Sequence, residues 1–169
     1  MKLLVNPTSY SNAIHLINLG VDQIFIGTNK YCTRNSCNLS INEIKDLAEN
    51  KKSTEVIVSI NKLFFENEIE DLTKYIIELS KININGIIFA DYAVNQICFE
   101  NDINIRLIYN PDTLVVNYAQ FDFYLSNNIK EVSLAREINK KEILEIIANK
   151  KEMNTQLQVC GYAFMMHSR

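Results

Sequence analysis

The sequence predicts an α/β fold, a TIM-like (β/α) barrel truncated after about six βα units plus a seventh strand. Three observations carry this reading. Seven short apolar runs recur along the 169 residues, and each ends on a polar residue or a glycine. Between most of them lies a segment with helical periodicity, and strands alternating with helices imply a parallel sheet. The pattern stops at a seventh strand, short of the eight units that close such a barrel. A single incomplete barrel domain over 1–169 is therefore expected, a fragment that is a truncated piece, the product of a broken gene, or one part of a longer polypeptide. Its unpaired first and seventh strands would leave edges that attract other chains.

Each element has a local reason. Leu3-Leu4-Val5 forms the first strand and runs into Asn6. A helix from about 11 to 19 follows, with Ala13, Ile14 and Ile17 on its apolar face and Gly20 as its stop. Ile24-Phe25-Ile26 runs into Gly27-Thr28 and a polar loop through Asn29, Tyr31, Arg34 and Asn38. Ser40 and Glu43 form a capping box that opens the second helix, whose stripe continues through Ile44 and Leu47. The third strand, 55–60, is rich in β-branched residues and reads as buried on both faces. The third helix carries Ile69, Leu72, Ile76 and Leu79 at helical spacing, behind Glu66, Glu68, Glu70 and Asp71, acids that suit a helix N-terminus.

The second half repeats the rhythm. Ile87-Ile88-Phe89-Ala90 runs into Asp91, and a short helix extends to Phe99. Strand five, 105–109, runs into Asn110-Pro111, where the proline stops the ladder. The fifth helix includes Tyr118, Phe121 and Tyr124. Strand six, 131–135, runs into Arg136-Glu137. The sixth helix begins near Asn139, with Glu142 three residues on, and is expected to bury Ile143, Ile146 and Ile147. Strand seven starts near Gln156 and leads through Leu157-Gln158-Val159-Cys160 to Gly161.

Composition narrows the function classes. A hydrophobic share of 47% and a charged share of 22% describe an ordinary globular chain. A net charge of −3 gives no bulk electrostatic case for nucleic acid, so such a partner would need a local basic patch. No run reaches the length of a membrane span, and the first apolar run is too short for a signal-peptide core, so a cytoplasmic protein without membrane contact is expected. Cys32, Cys37, Cys98 and Cys160 read as thiols there. Cys98 shares a helix face with Val94 and Ile97 and reads as core. Cys32 and Cys37 share a loop, and no metal site is assigned to them.

In a (β/α) barrel the C-terminal strand ends carry the chemistry. Asn6, Asn61, Asp91, Asn110, Arg136 and Glu137 are thus expected on one face, joined by His167 just past strand seven. Asp91, Arg136, Glu137 and His167 are the candidate catalytic residues, and Asn6, Asn61, Asn110 and Ser168 the candidate substrate-binding residues. Asp91 suits an acid, a base or a ligand, and equally a helix N-cap. Arg136 beside Glu137 suits a bidentate clamp on a carboxylate or other small anion, or an ion pair across the mouth. Asn61 and Asn110 suit substrate amides, or turns. His15 reads as a partly buried helix histidine. The sequence contains no HExxH, Gly-x-Ser-x-Gly, P-loop or GxGxxG, and it nominates no nucleophile–base pair.

Several stretches together resemble a family: residues 3–7, 20–27, 31–34 and 39–40, Val58-Ser59-Ile60-Asn61-Lys62-Leu63 with the acids that follow, and residues 86–91. Val132-Ser133-Leu134-Ala135-Arg136-Glu137-Ile138 carries the most diagnostic match, an LARE strand. Gln158-Val159-Cys160-Gly161 with Ser168 is similar to the family signature. The chain resembles the N-terminal barrel of the collagenase-like peptidases of unassigned catalytic type, peptidase family U, number thirty-two. It departs from the signature at Cys160, Phe164 and Arg169, where a histidine, a cysteine and a glycine are usual. Iron–sulfur clusters occur in several branches, but their ligands are not matched here, and Cys32 aligns with a single cluster position of a quinone-hydroxylation branch. The resemblance implies a hydrolase acting on protein or peptide. The ending 162–168 is closer to short, cysteine-poor subunits of low-GC bacteria, which implies the alternative: one subunit of a prephenate-linked system for 5-hydroxylation of wobble uridine in tRNA, with a paralogous partner subunit and tRNA as partners. A non-catalytic fragment or scaffold is the third reading.

Overall fold

In the computed structural model, which describes residues 1–33 and 35–161, seven parallel strands pair strictly in chain order. They are β1 (Leu4–Val5), β2 (Gln23–Ile26), β3 (Glu55–Ile60), β4 (Gly86–Phe89), β5 (Leu107–Tyr109), β6 (Glu131–Ser133) and β7 (Asn154–Gln156). Among the described residues the connecting helices are α1 (Tyr10–Leu19), α2 (Ile41–Glu49), α3 (Ile69–Leu79), α4 (Tyr92–Glu100), α5 (Phe121–Ser126) and α6 (Lys140–Asn149), with a 3-10 turn at Glu66–Glu68 before α3. This is the expected incomplete TIM-like barrel, a curled sheet with β1 and β7 at its edges.

The two-residue pleat sorts the strand residues onto two faces. Ile24, Ile26, Val56, Val58, Ile60, Ile87, Phe89, Leu107, Tyr109 and Val132 enter the large core that the helices cover. The alternate positions Ile57, Ile88 and Ile108 pack separately with Leu4 and Phe25, filling the concave face. Central strands are therefore buried on both sides, as the β-branched third strand implies. Each such isoleucine stabilises by about 1.5–3 kcal/mol.

Helix ends follow the sequence signals. Ser9 caps α1 by accepting from Asn12 N, and Gly20 closes it in the left-handed region at φ 77°. Ser40 with Glu43, and Asn139 with Glu142, form capping boxes at α2 and α6.

The last quarter differs from expectation. Tyr118 precedes α5, which begins at Phe121. Strand seven is Asn154–Gln156, earlier than the apolar Leu157–Cys160 run, and Val159 is 82% exposed. Polar pairing sets this register: Asn154 N donates to Lys130 O at 2.9 Å, and Ser133 Oγ donates to Gln156 Oε1 at 3.0 Å. On α6 Ile146 is buried, Ile143 is half-buried and Ile147 is 46% exposed, because this helix covers the sheet's edge rather than its centre. His15 is exposed rather than partly buried.

A charged network spans the N-terminal ends of the strands. Arg106, just before β5, reaches Glu131 on β6 and Glu55 on β3. Gln23 Nε2 donates to Glu55 at 2.6 Å and Gln156 Nε2 to Glu131 at 2.8 Å, and Lys2 also donates to Glu55. Arg106 crosses the intervening β4 at Gly86, where a Cβ would sit 3.4 Å from the arginine's own Cβ. This end of a barrel conventionally serves stability, which leaves the opposite end for function.

Candidate functional site

At the C-terminal end, the residues after β3 and β4 each tie their strand terminus to the loop of the strand before it. Asn61 follows β3, and its Oδ1 accepts from Thr33 N at 2.8 Å and from Cys32 Sγ at 3.1 Å, both in the loop after β2. Asp91 follows β4, and its Oδ2 accepts from Phe64 N at 2.9 Å, in the loop after β3. Its Oδ1 accepts from Ala93 N at 3.0 Å and so caps α4. Both carboxylate oxygens of Asp91 thus hold backbone in place.

Asn6, at the end of β1, meets the same β2 loop: its Nδ2 donates to Asn35 Oδ1 at 2.8 Å, and its Oδ1 accepts from Ser36. Asn110 closes its own turn by accepting from Asp112 N at 3.2 Å. Arg136 and Glu137 lie three and four residues beyond β6, the first half-buried and the second exposed. Ala135 N donates to Val115 O at 2.9 Å, fixing the approach to Arg136. His167 and Ser168 lie outside the described residues. The topology therefore brings Asn6, Asn61, Asp91, Asn110, Arg136 and Glu137 to one end of the sheet, where the first four anchor loops and turns.

The β2 loop packs over this end because Gly27 admits it. A Cβ there would lie 2.7 Å from Cys32 Sγ, 2.8 Å from Asn38 Oδ1 and 2.9 Å from Asn35 Nδ2. Gly27 N donates to Cys37 O, and Leu39 N to Gly27 O, each at 2.9 Å. Sequence reading passed over this role of Gly27; a glycine at a strand end before a polar loop is the signal for such a close approach.

Burial pushes the Cys32 thiol up, against opposing hydrogen bonds from Ser59 and Asn35. It is a protonated loop anchor at neutral pH, not a thiolate. Cys37 is raised by burial too, and Cys98 is pushed up to about 11 by burial. Among the described residues no three His, Cys, Asp or Glu side chains stand together as a metal-binding group. Among the described residues no helix is long and apolar enough to cross a membrane.

Comparison with known proteins fits this architecture. Residues 8–169 match Peptidase family U32. The chain is 27% identical to tRNA hydroxylation protein P2 of Bacillus subtilis (strain 168) over 99% of its own length and 55% of that protein. It is 28% identical to tRNA hydroxylation protein P1 of the same organism, over 77% of this chain and 32% of that one. The chain thus spans about half and about a third of the two curated relatives. Among solved structures, the U32 peptidase Mk0906 superposes with a TM-score of 0.63 at 10% identity, covering 93% of this chain and 67% of that one, which is a likeness of fold.

Proposed function

The chain belongs to peptidase family U32, and on that premise we propose that it acts in tRNA hydroxylation as one subunit of a paired system, rather than in proteolysis. One observation carries the reading: both curated relatives are tRNA hydroxylation proteins, and they are two paralogous proteins of a single organism. A paralogous partner subunit follows from that pairing. The position modified is the 5-carbon of wobble uridine, with prephenate as a participant, as the resemblance of the sequence implies.

The mouth chemistry agrees with a binding role for a small anion. Arg136 at the end of β6 offers a planar fork suited to a carboxylate. Cys32 is held as a thiol by burial, so it lacks the thiolate character a cysteine peptidase requires. Asp91 has both carboxylate oxygens committed to backbone donors.

The test is nucleoside mass spectrometry of tRNA from a strain deleted for this gene. Loss of 5-hydroxyuridine-type nucleosides, restored by the intact gene, supports the reading. An unchanged nucleoside profile overturns it, and peptide-substrate profiling then becomes the next experiment.

A further inference from the structure

Beside the barrel mouth lies an aromatic pocket that none of the loop anchors uses. Its volume is about 390 Å3, and Tyr92, Tyr109, Leu114, Gln120, Phe123 and Tyr124 line it. That size falls within the range of small-molecule sites, about 300–1,000 Å3. The elements place it next to the functional end: Tyr109 is the last residue of β5, Tyr92 the first of α4, and Phe123 and Tyr124 belong to α5.

The rings form a connected wall. Tyr92 and Tyr109 meet edge to face at 5.2 Å between centroids, Tyr109 and Tyr124 are 5.2 Å apart, and Tyr92 and Phe123 are 6.0 Å apart. Phe123 is 56% exposed and Leu114 is 63% exposed, so both rim side chains are open to a ligand.

Two polar features sit in this wall. The hydroxyl of Tyr92 is buried and has no hydrogen-bond partner among the described residues. An unpaired buried hydroxyl carries a desolvation cost that a partner from outside the chain, a water or a ligand edge, would relieve. Gln120 accepts from the Tyr124 hydroxyl through Oε1, and its amide carries an NH2 group as well. The lining carries no formal charge, and burial holds the phenols neutral, Tyr124 pushed up to about 12. The ligand that suits these features is flat, uncharged, π-faced and edged with acceptors.

We propose that this pocket stacks one nucleobase of a single-stranded RNA segment that runs past the barrel mouth, with Phe123 as the stacking ring and the Tyr92 hydroxyl as the buried donor. The inference rests on the tRNA reading above and adds to it a site outside the strand-end residues. Base stacking on an aromatic ring is tolerant of sequence, so the pocket serves grip and register rather than base choice.

The experiment titrates the full chain into a fluorescein-labelled anticodon stem-loop RNA with uridine at the wobble position, followed by fluorescence anisotropy at several salt concentrations. Phe123→Ala is expected to weaken binding about tenfold. Because the lost contact is uncharged, the slope of log affinity against log salt stays at the wild-type value. Tyr92→Phe is expected to weaken binding several-fold while leaving the melting temperature equal or higher, an outcome that a purely structural hydroxyl would not produce. If the wild type binds and both variants match it, the pocket is overturned and the tRNA reading stands. A lowered salt slope in Phe123→Ala also overturns it, since phosphate contacts would then be what was lost. Wild-type protein that fails to bind this RNA overturns both.

Discussion

Two donors of Arg106, Nε at 2.9 Å and Nη2 at 2.6 Å, converge on the single Oε2 atom of Glu131. The third arm of the guanidinium reaches Glu55 at 2.6 Å, so one side chain clamps β5 to β6 and to β3 across the concave face. Burial disfavours the charges of this cluster. At Arg106, Glu131 and Glu55 outweigh it and raise the guanidinium further. At Glu55, burial raises the carboxyl, but hydrogen bonds from Lys2, Gln23 and Arg106 outweigh it and leave the net value below the ordinary one.

That depressed value makes the network sensitive to acid. A carboxylate with a lowered folded value stabilises fully above its unfolded value, and the stabilisation is lost as pH falls through the folded value. Urea unfolding is expected to give a flat stability between about pH 7 and pH 5, then a decline toward about pH 3. Glu55→Gln is expected to be less stable at neutral pH by about 1–3 kcal/mol and to show a shallower decline. Parallel curves for wild type and variant would show that Glu55 does not couple folding to protons.

Gly27→Ala is expected to damage the site, and Gly20→Ala only the fold. At Gly27 the new Cβ would clash with Cys32, Asn35 and Asn38, displacing the loop whose Thr33 and Cys32 anchor Asn61. Overpacking of this kind costs about 1–3 kcal/mol, and tRNA modification is expected to fall with it. At Gly20 nothing lies within 4 Å, so the substitution carries only the left-handed backbone cost of about 1–2 kcal/mol. Thermal unfolding combined with complementation of the deletion strain separates the two. Equal loss of activity in both variants would contradict the assignment.

Asp91 is expected to matter through shape rather than charge. Asp91→Ala removes the acceptors of Ala93 N and Phe64 N and is expected to cost about 0.5–2 kcal/mol. Asp91→Asn keeps an oxygen for the α4 cap but turns an NH2 donor toward Phe64 N, and is expected to lie between the wild type and Asp91→Ala in stability. If Asp91→Asn is stable yet abolishes modification, the carboxylate acts chemically and the capping account is insufficient.

The fold was legible where burial and local signals agree. β3 is bounded by Glu55 and Ile60 as its β-branched run suggests, and the Ser40–Glu43 and Asn139–Glu142 boxes mark real helix starts. β7 was not, because the polar Asn154-Thr155-Gln156 takes the backbone ladder to β6, with Gln156 bonding Ser133 and Glu131, while the neighbouring Leu157 and Val159 stay exposed. The strand-end positions of Asn6, Asn61, Asp91 and Asn110 were readable from the βα rhythm. The bonds of Asn6 and Asn61, and that of Asp91 to Phe64, were not, since these depend on how a loop more than twenty residues away folds back. Glu55 on β3, Glu131 on β6 and Arg106 just before β5 meet at the strand N-termini, a pattern hidden because each interrupts or borders an apolar run.

Arg136→Ala is expected to abolish tRNA modification while leaving the melting temperature near that of the wild type. Arg136 lies beyond the last ladder residue of β6, so its loss spares the sheet. Arg136→Lys is not expected to restore activity, because an ammonium cannot present the planar two-donor fork that a carboxylate matches. Complementation followed by nucleoside mass spectrometry checks both variants. Retained modification in Arg136→Ala would sink the clamp.

Cys32→Ser is expected to change little, and Asn61→Ala a good deal. A serine hydroxyl can donate to Asn61 Oδ1 as the thiol does, so the tie between the β2 loop and β3 survives. Asn61→Ala removes the acceptor of Thr33 N and leaves the Cys32 thiol its longer contact to Thr33 O at 3.4 Å, at a cost of about 1–3 kcal/mol. The pair also distinguishes a structural thiol from a reactive one. A structural thiol predicts normal modification in Cys32→Ser and loss in Asn61→Ala, in step with its stability. Loss of an iron-derived absorbance from anaerobically prepared Cys32→Ser would instead assign the cysteine a metal, because no change in loop packing removes a charge-transfer band.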